Sequence, residues 1–379
     1  MKRKFLVFIL GLCLMSLTAC GNNNSNNESD NNDLTGESNS ELESEQHIQE
    51  EGNEENKTAV LDSANGLVIV PGIYDVGDYI DSANYLITCD EADYSMKIVV
   101  FESKDNYNNY QNSNRVTNGE ELAAIEQNAL YDCYLQTGDV GYLSLKSGYV
   151  LLVDDGNGHL SEYNVQDSSD MELYDGIYFI DDFDAAQYLL TCADTDYSMQ
   201  AVVFESIDEY KAYHQTSRFS NGEESAAIEQ NALYDYYLET DKMGYLRLRA
   251  GYVLYIKDGM GKLSKIPTQE PDSNTTWYSD SNIGVPSGVY FAGDDLEAAQ
   301  YSLTCVTSYM QVIVFENIDT YKAYHQMSRF TNGEESDAIE QNAITSEYMY
   351  EGDNLAVRLQ YGNVLMIKDG VGTLTVLSK

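Results

Sequence analysis

Three stretches of the sequence, beginning at Gly72, Gly176 and Gly288, repeat the same motifs in the same order. Each opens with Gly-Ile/Val-Tyr, continues through Thr-Cys and Val-Phe-Glu, and later carries Asn-Gly-Glu-Glu followed by Ala-Ile-Glu-Gln-Asn-Ala. The copies start roughly 100 residues apart, which is enough for a complete domain and too long for one solenoid unit. The repetition therefore predicts three tandem copies of one small domain.

The boundaries of these copies follow from the composition between them. Pro267, Pro271 and several Ser and Asn residues mark a linker before the third copy. We place module 1 at residues 66–165, module 2 at 173–267 and module 3 at 283–379, with connecting segments near 165–172 and at 268–282.

Within a module the hydrophobic residues alternate with a period of two, as in Tyr245–Arg249 and Tyr252–Ile256. This period is typical of β-strands, and Asp258-Gly259 between two apolar runs favours a tight hairpin. One interruption is helical, because Ile207–Gln215 has helical spacing and Asn221 can cap a second short helix. The sequence predicts a mainly β protein of three small β-sandwich or barrel modules, each with a short helical excursion.

The N-terminus carries the features of an export signal. Lys2, Arg3 and Lys4 precede an apolar run that is too short to span a bilayer permanently, and small residues lead to Cys20. Residues 1–20 resemble a lipoprotein signal peptide with a lipobox, although a plain signal peptide would share its first part. We expect Cys20 to be lipidated and the protein to lie on the extracellular face of a bacterial cell membrane.

Residues 21–65 form an acidic segment rich in Asn, Ser and Glu, and they offer almost no apolar surface to bury. Such a composition predicts a disordered tether. The formal net charge of the chain is −42. A surface this negative repels nucleic acid and anionic lipid headgroups, so we expect no nucleic-acid partner and contact with the membrane through the lipid anchor only. Solubility, calcium or a basic protein partner could each account for the acidity.

The start of each module resembles a known surface domain. Val70–Gly77, with Ile80, Ala83 and Tyr85, is similar to the PGTYxVGxDIPAGEYxI repeat of Gram-positive surface lipoproteins, and Val285–Tyr290 repeats the opening. The chain departs from that pattern in its second half, where Asp81 and Ala83 replace the usual proline and glycine. The resemblance implies an extracellular β-domain without established activity, and it carries no catalytic residues.

Cysteines and histidines supply no recurring reactive site. Cys89, Cys192 and Cys305 fall on the apolar face of one strand and are expected in the core, whereas Cys133 has no cysteine counterpart and is expected to be exposed. A nucleophilic site needs a fixed base. Because His214 and His325 have Gln111 as their counterpart in module 1, no histidine occurs in all three copies, and we expect no enzyme and no cofactor.

The helical excursion is the candidate binding surface. Its repeated arginines and glutamates could pin the excursion to the sandwich, or they could form a polar pocket in which tyrosine faces contact a sugar or a peptide. The candidate residues are Arg115, Arg218, Arg329, Glu224, Glu335, Tyr210, Tyr213, Tyr321 and Tyr324.

A second candidate is acidic. Asp181 and Asp184, with equivalents in the other modules, have oxygen ligands at a spacing that could hold calcium, yet a solvated turn is the simpler explanation for them.

The leading hypothesis is a surface-displayed, non-enzymatic protein whose repeated modules bind an envelope or environmental glycan or protein. The alternatives are an inert structural spacer or stalk and a calcium-dependent interaction module. The 32 tyrosines help to discriminate between them, because a spacer predicts no clusters of exposed tyrosine on the folded surface.

Overall fold

The structure is a computed structural model, and it is built mainly of β-strands, as the two-residue period predicts. Within the described residues, no helix is long and apolar enough to cross a membrane. The predicted signal peptide and Cys20 lie outside the residues that the structure describes. The structure describes residues 60–62, 66–113, 118–164, 170–181, 184–195, 198–216, 223–266, 278–279, 282–327 and 334–378.

The modules share one order of strands with two consecutive helices after the first few strands, and modules 1 and 3 have one additional strand at the start. Module 1 comprises β1 (Val60–Asp62), β2 (Gly66–Ile69), β3 (Gly72–Asp75), β4 (Ala83–Glu91), β5 (Met96–Phe101), α1 (Lys104–Asn112), α2 (Asn118–Asn128), β6 (Tyr131–Leu135), β7 (Val140–Leu145), β8 (Val150–Asp154) and β9 (Asn157–Glu162). Module 2 comprises β10 (Asp170–Leu173), β11 (Asp175–Phe179), β12 (Ala186–Asp194), β13 (Met199–Phe204), α3 (Ile207–His214), α4 (Glu223–Asn231), β14 (Tyr234–Leu238), β15 (Met243–Leu248), β16 (Val253–Lys257) and β17 (Met260–Lys265). Module 3 comprises β18 (Tyr278–Ser279), β19 (Asn282–Val285), β20 (Ser287–Phe291), β21 (Gln300–Cys305), β22 (Tyr309–Phe315), α5 (Ile318–Gln326), α6 (Glu334–Asn342), β23 (Ala343–Tyr350), β24 (Asn354–Arg358), β25 (Val364–Lys368) and β26 (Gly372–Ser378).

The first strands of the modules begin earlier than the sequence predicts. β1 lies inside the segment predicted to be tether and pairs antiparallel with β2. β10 lies inside the connecting segment near 165–172 and pairs with β17, and β18 lies inside the predicted linker. These strands are short and close to polar residues, so the periodicity of the sequence does not reveal them.

Each module is a sandwich of two sheets. In module 1 one sheet has the order β1-β2-β9-β4-β7, and the other, β3-β8-β5-β6, carries the helices on its outer face. We call the first the plain sheet and the second the helix-covered sheet. Modules 2 and 3 repeat the plan. Ile87 of the plain sheet and Ile98 of the helix-covered sheet meet in the core between them.

The cysteines lie in this core. Cys89, Cys192 and Cys305 are buried, as their strand position predicts. The prediction for Cys133 is wrong, because Cys133 shares the inward face of β6 with Tyr131 and Leu135 and is buried too. Burial raises the pKa of the Cys133 thiol well above its usual value, which makes this cysteine a poor nucleophile.

The two helices of each module cover the outer face of its helix-covered sheet. In module 1, Tyr107 and Tyr110 of α1 pack against Phe101 of β5, with ring centroids 5.5 and 5.2 Å apart. The helix begins after Ser103, whose hydroxyl caps it by accepting a hydrogen bond from the Asn106 amide. The helical excursion of the sequence is therefore a pair of helices that forms a second hydrophobic layer.

The plain sheet of one module continues into the helix-covered sheet of the next module. β7 pairs in parallel with β11, and β15 pairs in parallel with β20, which creates sheets of nine and eight strands. The hydrophobic cores also cross these junctions, since Tyr131 of module 1 and Phe204 of module 2 belong to the same buried cluster. Residues 54–379 consequently form one compact unit.

Candidate functional site

The tyrosines predicted to line a ligand pocket are buried. Tyr210 and Tyr213 pack on Phe204 with ring centroids 5.4 and 5.3 Å apart, inside the core that modules 1 and 2 share. These rings fill space between the helices and the sheet, so they present no open face to a sugar or a peptide. The tyrosines concerned are Tyr210, Tyr213, Tyr321 and Tyr324, each at most 1% exposed.

The repeated glutamates hold the helices in place. Glu224 Oε1 accepts hydrogen bonds from the Tyr213 hydroxyl at 3.0 Å and from Lys257 Nζ at 2.8 Å. A lysine on the neighbouring strand thus performs the pinning role that the sequence interpretation gave to arginine. The equivalent contacts in module 3 join Glu335 to Tyr324 and Lys368. Arg115, Arg218 and Arg329 lie outside the described residues.

The candidate calcium ligands Asp181 and Asp184 are both exposed. Asp184 forms an ion pair with Lys265 at 2.6 Å. Among the residues that the structure describes, no group of three or more His, Cys, Asp or Glu side chains is placed to hold a metal ion. Asp294, the equivalent of Asp181 in module 3, forms an ion pair of 2.6 Å with Arg249 of module 2.

The two helical histidines lie at the junctions between modules. His214 Nε2 lies 3.0 Å from Asp132 Oδ1 of module 1, and His214 Nδ1 lies 3.4 Å from the Glu126 carbonyl oxygen. His325 repeats this contact with Asp235 of module 2 at 3.1 Å. A histidine oriented by an aspartate is also the geometry of a general base. Here the two side chains are 1% and 4% exposed, which leaves no access for a substrate.

Two further contacts recur at both junctions. Lys211 of α3 binds Glu102 of module 1 at 2.7 Å, and Lys322 binds Glu205 in the same way at the second junction. The stacked pairs Tyr142–Tyr178 and Tyr245–Tyr290 have ring centroids 3.9 and 4.3 Å apart. Identical geometry at both places shows that the repeat unit includes its docking surfaces.

Asp175 is a titratable group specific to the first junction. It stands opposite Gly141 in the parallel pairing of β7 and β11, and its Oδ1 accepts a hydrogen bond of 3.4 Å from the Tyr131 hydroxyl. Burial raises the pKa of the Asp175 carboxyl to about 7, and the nearby Asp258 carboxylate adds to the shift.

A small cleft at the second junction is lined by polar side chains. Its Glu205 binds Lys322, and its Glu209 Oε2 accepts a hydrogen bond of 2.8 Å from the Glu205 amide. Burial raises the pKa of Glu209. Since both glutamates are engaged in local contacts, the cleft belongs to the junction and offers no separate acid–base pair.

Exposed tyrosines occur at one equivalent position in every module. Tyr134 of β6, Tyr237 of β14 and Tyr348 of β23 occupy the same place in the edge strand of the helix-covered sheet, opposite Lys97, Gln200 and Gln311. They are 44%, 50% and 60% exposed. We call these three residues the tyrosine row.

The row is extended in module 3. Tyr309 stacks on Tyr348 with centroids 5.9 Å apart, and Tyr350 lies 6.1 Å from Tyr309. Tyr348 and Tyr350 are both more than half exposed. The surface therefore carries a tyrosine cluster, which the spacer hypothesis does not predict.

Sequence reasoning recognised the repeated tyrosines but assigned the wrong ones to the surface. The alternation within β14 contained the necessary signal: Tyr234 and Tyr236 share the inward face, so Tyr237 must point outward. The junction histidines carried a signal too, because Gln111 replaces them in module 1, the first module of this sequence.

Comparisons with known proteins identify no family. No family model and no curated protein matches the sequence. A chain from the atomic structure of Sulfolobus turreted icosahedral virus aligns over 85% of this chain and 90% of its own length, at 10% identity and a TM-score of 0.17. A similarity this low carries no argument about fold or function.

Proposed function

We propose that the protein is a non-enzymatic binding protein, anchored by lipid to the outer face of a bacterial cell membrane, whose modules together hold a polymeric glycan or protein. The tyrosine row carries this proposal. Tyr134, Tyr237 and Tyr348 offer one exposed aromatic ring per module at equivalent positions. A tyrosine ring supplies an apolar face for a sugar or a side chain and a hydroxyl for hydrogen bonding.

The junctions support a multivalent mode of binding. Because the sheets and cores are continuous from module to module, the rings of the row are held in a constant arrangement. A polymer with repeating units can then contact several rings at once, and linked weak contacts raise the overall affinity without any strong single site. The predicted lipidation of Cys20 and the acidic segment after it would keep this surface on the cell exterior.

A spacer or stalk is the second candidate. The observation that favours it is the amount of structure devoted to the junctions, including the buried pairs of His214 with Asp132 and of His325 with Asp235. A stalk needs firm junctions and no ligand surface. The exposed tyrosine cluster of module 3 is the feature that this alternative leaves unexplained.

The test is binding of residues 21–379 to soluble polysaccharides, peptidoglycan fragments and fibrous proteins, measured by calorimetry and by the thermal shift that a bound ligand produces. A ligand should bind the wild type and lose at least about tenfold in affinity, or ~1.4 kcal/mol, in the triple variant Tyr134→Ala, Tyr237→Ala and Tyr348→Ala. Tyr94→Ala removes a ring that is 93% exposed but outside the row, and it serves as the matched control.

The outcomes separate the candidates. Equal loss in the Tyr94→Ala control would show that the row has no special role. No binding by the folded protein to any of these polymers would favour the spacer. A thermal shift with calcium that chelation reverses would favour the calcium-dependent module instead.

A further inference from the structure

Every junction is made by two complementary faces. The docking face belongs to the later module and is formed by its helices and the first strand of its helix-covered sheet. The receiving face is the surface of the earlier module that the docking face contacts. At the first junction the docking face contributes Phe179, Lys211 and His214, which contact Lys146, Glu102 and Asp132. At the second junction the docking face contributes Phe291, Lys322 and His325, which contact Arg249, Glu205 and Asp235.

Module 1 is the first module of this sequence, and its docking face lacks all three contact residues. Asp75 stands where the later modules have phenylalanine, Asn108 where they have lysine, and Gln111 where they have histidine. Asp75 instead binds Lys104 of its own module at 3.3 Å, and Gln111 donates a hydrogen bond to Tyr107 of the same helix. This face is satisfied within module 1.

The backbone of module 1 differs at the same face. In the parallel pairings, Asp175 stands opposite Gly141 and Ser287 opposite Gly244. Pro71 occupies the equivalent position in module 1. Because proline has no N–H to donate, it is a residue that protects sheet edges from pairing.

The receiving face of module 3, the last module of this sequence, has lost most of the complementary residues, although Glu316 keeps the glutamate that binds lysine at the two junctions. Ser346 stands where modules 1 and 2 have the aspartate that binds histidine. Leu355-Ala356 replaces the Gly-Tyr pair of β7 and β15, which removes the stacking tyrosine. Gln360 stands where modules 1 and 2 have the cations Lys146 and Arg249. Further replacements in the same direction are Ser302 for Leu86 and Leu189, and Thr345 for Tyr131 and Tyr234.

Leu355 takes the position that Gly141 and Gly244 hold in the other modules. A Cβ atom on Gly141 would lie 3.3 Å from Ile87 and 3.5 Å from the Asp175 carbonyl oxygen. The side chain of Leu355 packs against the core of module 3. β24, which carries Leu355, is an edge strand of its sheet.

The substitutions fall on the two faces that have no neighbour in this sequence, and the middle module keeps the full set on both of its faces. Self-complementary faces left at both ends would join copies head to tail into open filaments. We propose that modules 1 and 3 are capping modules, whose free faces are altered at the junction positions so that they reject a second copy of this chain. The same positions then act as a recognition code that fixes the order of the modules.

The direct test reintroduces the junction residues on the altered faces of modules 1 and 3, in a protein of residues 21–379. One variant carries Asp75→Phe, Asn108→Lys and Gln111→His with Pro71→Ser, and a second carries Ser346→Asp, Leu355→Gly, Ala356→Tyr and Gln360→Arg. Molar mass is measured by light scattering after size-exclusion chromatography. The wild type and each variant alone should be monomers, and an equimolar mixture of the two variants should have twice the monomer's molar mass. A chain that carries both sets of substitutions should form assemblies whose molar mass rises with concentration.

The reverse transplant keeps the proposal testable if a restored variant does not fold. Phe179→Asp, Lys211→Asn and His214→Gln place the cap residues of module 1 at the first real junction. Hydrogen exchange at the amides of β11, α3 and β6 should accelerate at least tenfold, with the second junction unchanged as the internal control. A monomeric mixture of folded restored variants, wild-type filaments joined at these faces, or unchanged exchange in the transplant would each overturn the proposal.

Discussion

His214 belongs to module 2, but its two ring nitrogens face oxygen atoms of module 1. The partner Asp132 is almost fully buried, so it depends on hydrogen bonds for the solvation that water no longer provides. A buried polar pair of this kind fixes one relative position of two modules more sharply than apolar packing does.

Replacing either member of the pair should weaken the first junction, and replacing both should cost less than the sum. His214→Gln and Asp132→Ser introduce the residues found at the equivalent positions of the two caps. Each single variant should lower the free energy of unfolding by about 1–3 kcal/mol, because a buried polar group loses a partner. Urea unfolding of the four proteins measures the coupling, which we expect at about 0.5–3 kcal/mol. Strict additivity would contradict the contact.

Asp175 predicts a pH dependence of stability. Its pKa is about 7 in the folded state, against an ordinary value of 3.8, so the folded protein binds more protons than the unfolded chain between those values. Stability is therefore lost as the pH rises from about 4 to 7. Asp175→Asn should equal the wild type near pH 4 and exceed it at pH 8, by an upper bound of about 4 kcal/mol.

Asp170, a neighbouring carboxylate whose pKa is shifted in the opposite direction, is the control for this measurement. Hydrogen bonds from Lys262 and Ser264 lower the pKa of Asp170, so its charged form favours the folded state. Asp170→Asn should destabilise the protein, and the loss should appear as the pH rises through the acidic range. If thermal unfolding between about pH 2 and pH 8 gave both variants the same pH trend, the assignment of the first trend to Asp175 would fail.

Each junction depends on a parallel strand pairing, which joins β7 to β11 at the first junction and β15 to β20 at the second. At the first junction Gly176 stands opposite Tyr142, and a Cβ atom added to Gly176 would lie 2.4 Å from the Tyr142 carbonyl oxygen. Glycine is required at this position by the close approach of two backbones. Gly72 opens the equivalent strand of module 1, the first module of this sequence, and its added Cβ would meet no atom closer than 3.7 Å.

These two glycines form a matched pair for mutation. Gly176→Ala should destabilise the protein by about 2 kcal/mol or more, because strands must separate to admit the methyl group. Gly72→Ala should be near neutral, since the methyl group fits the available space. Chemical unfolding of both variants makes the comparison, and equal costs would show that the junction does not explain the conserved glycine of the repeat unit.

Much of the element structure follows from local sequence. The strands with a clear two-residue period, the helices after Ser206 and Asn317, and the burial of Cys192 are all visible in the pattern of residues. The pairing of β7 with β11 has no such signal, because it joins segments of different modules and depends on only two residue pairs. For the same reason, Tyr210 and Tyr213 were assigned to a surface that the neighbouring module covers.

Over the whole molecule, the modules share hydrophobic cores. One buried cluster contains Ile98 of module 1 with Val202 of module 2, and a second contains Leu246 of module 2 with Ile313 of module 3. Nearest-neighbour interfaces of this kind make the folding of a repeat array cooperative, because an unfolded module exposes the apolar surface of its neighbour. Modules joined only by linkers would unfold independently.

Differential scanning calorimetry of residues 21–379 shows whether the modules unfold together, since it compares the measured enthalpy of unfolding with the van't Hoff enthalpy. Shared cores predict one transition with a ratio of the two enthalpies near one, and they predict that Gly176→Ala broadens or splits it. Resolved transitions for separate modules in the wild type, or a ratio near three, would contradict the account.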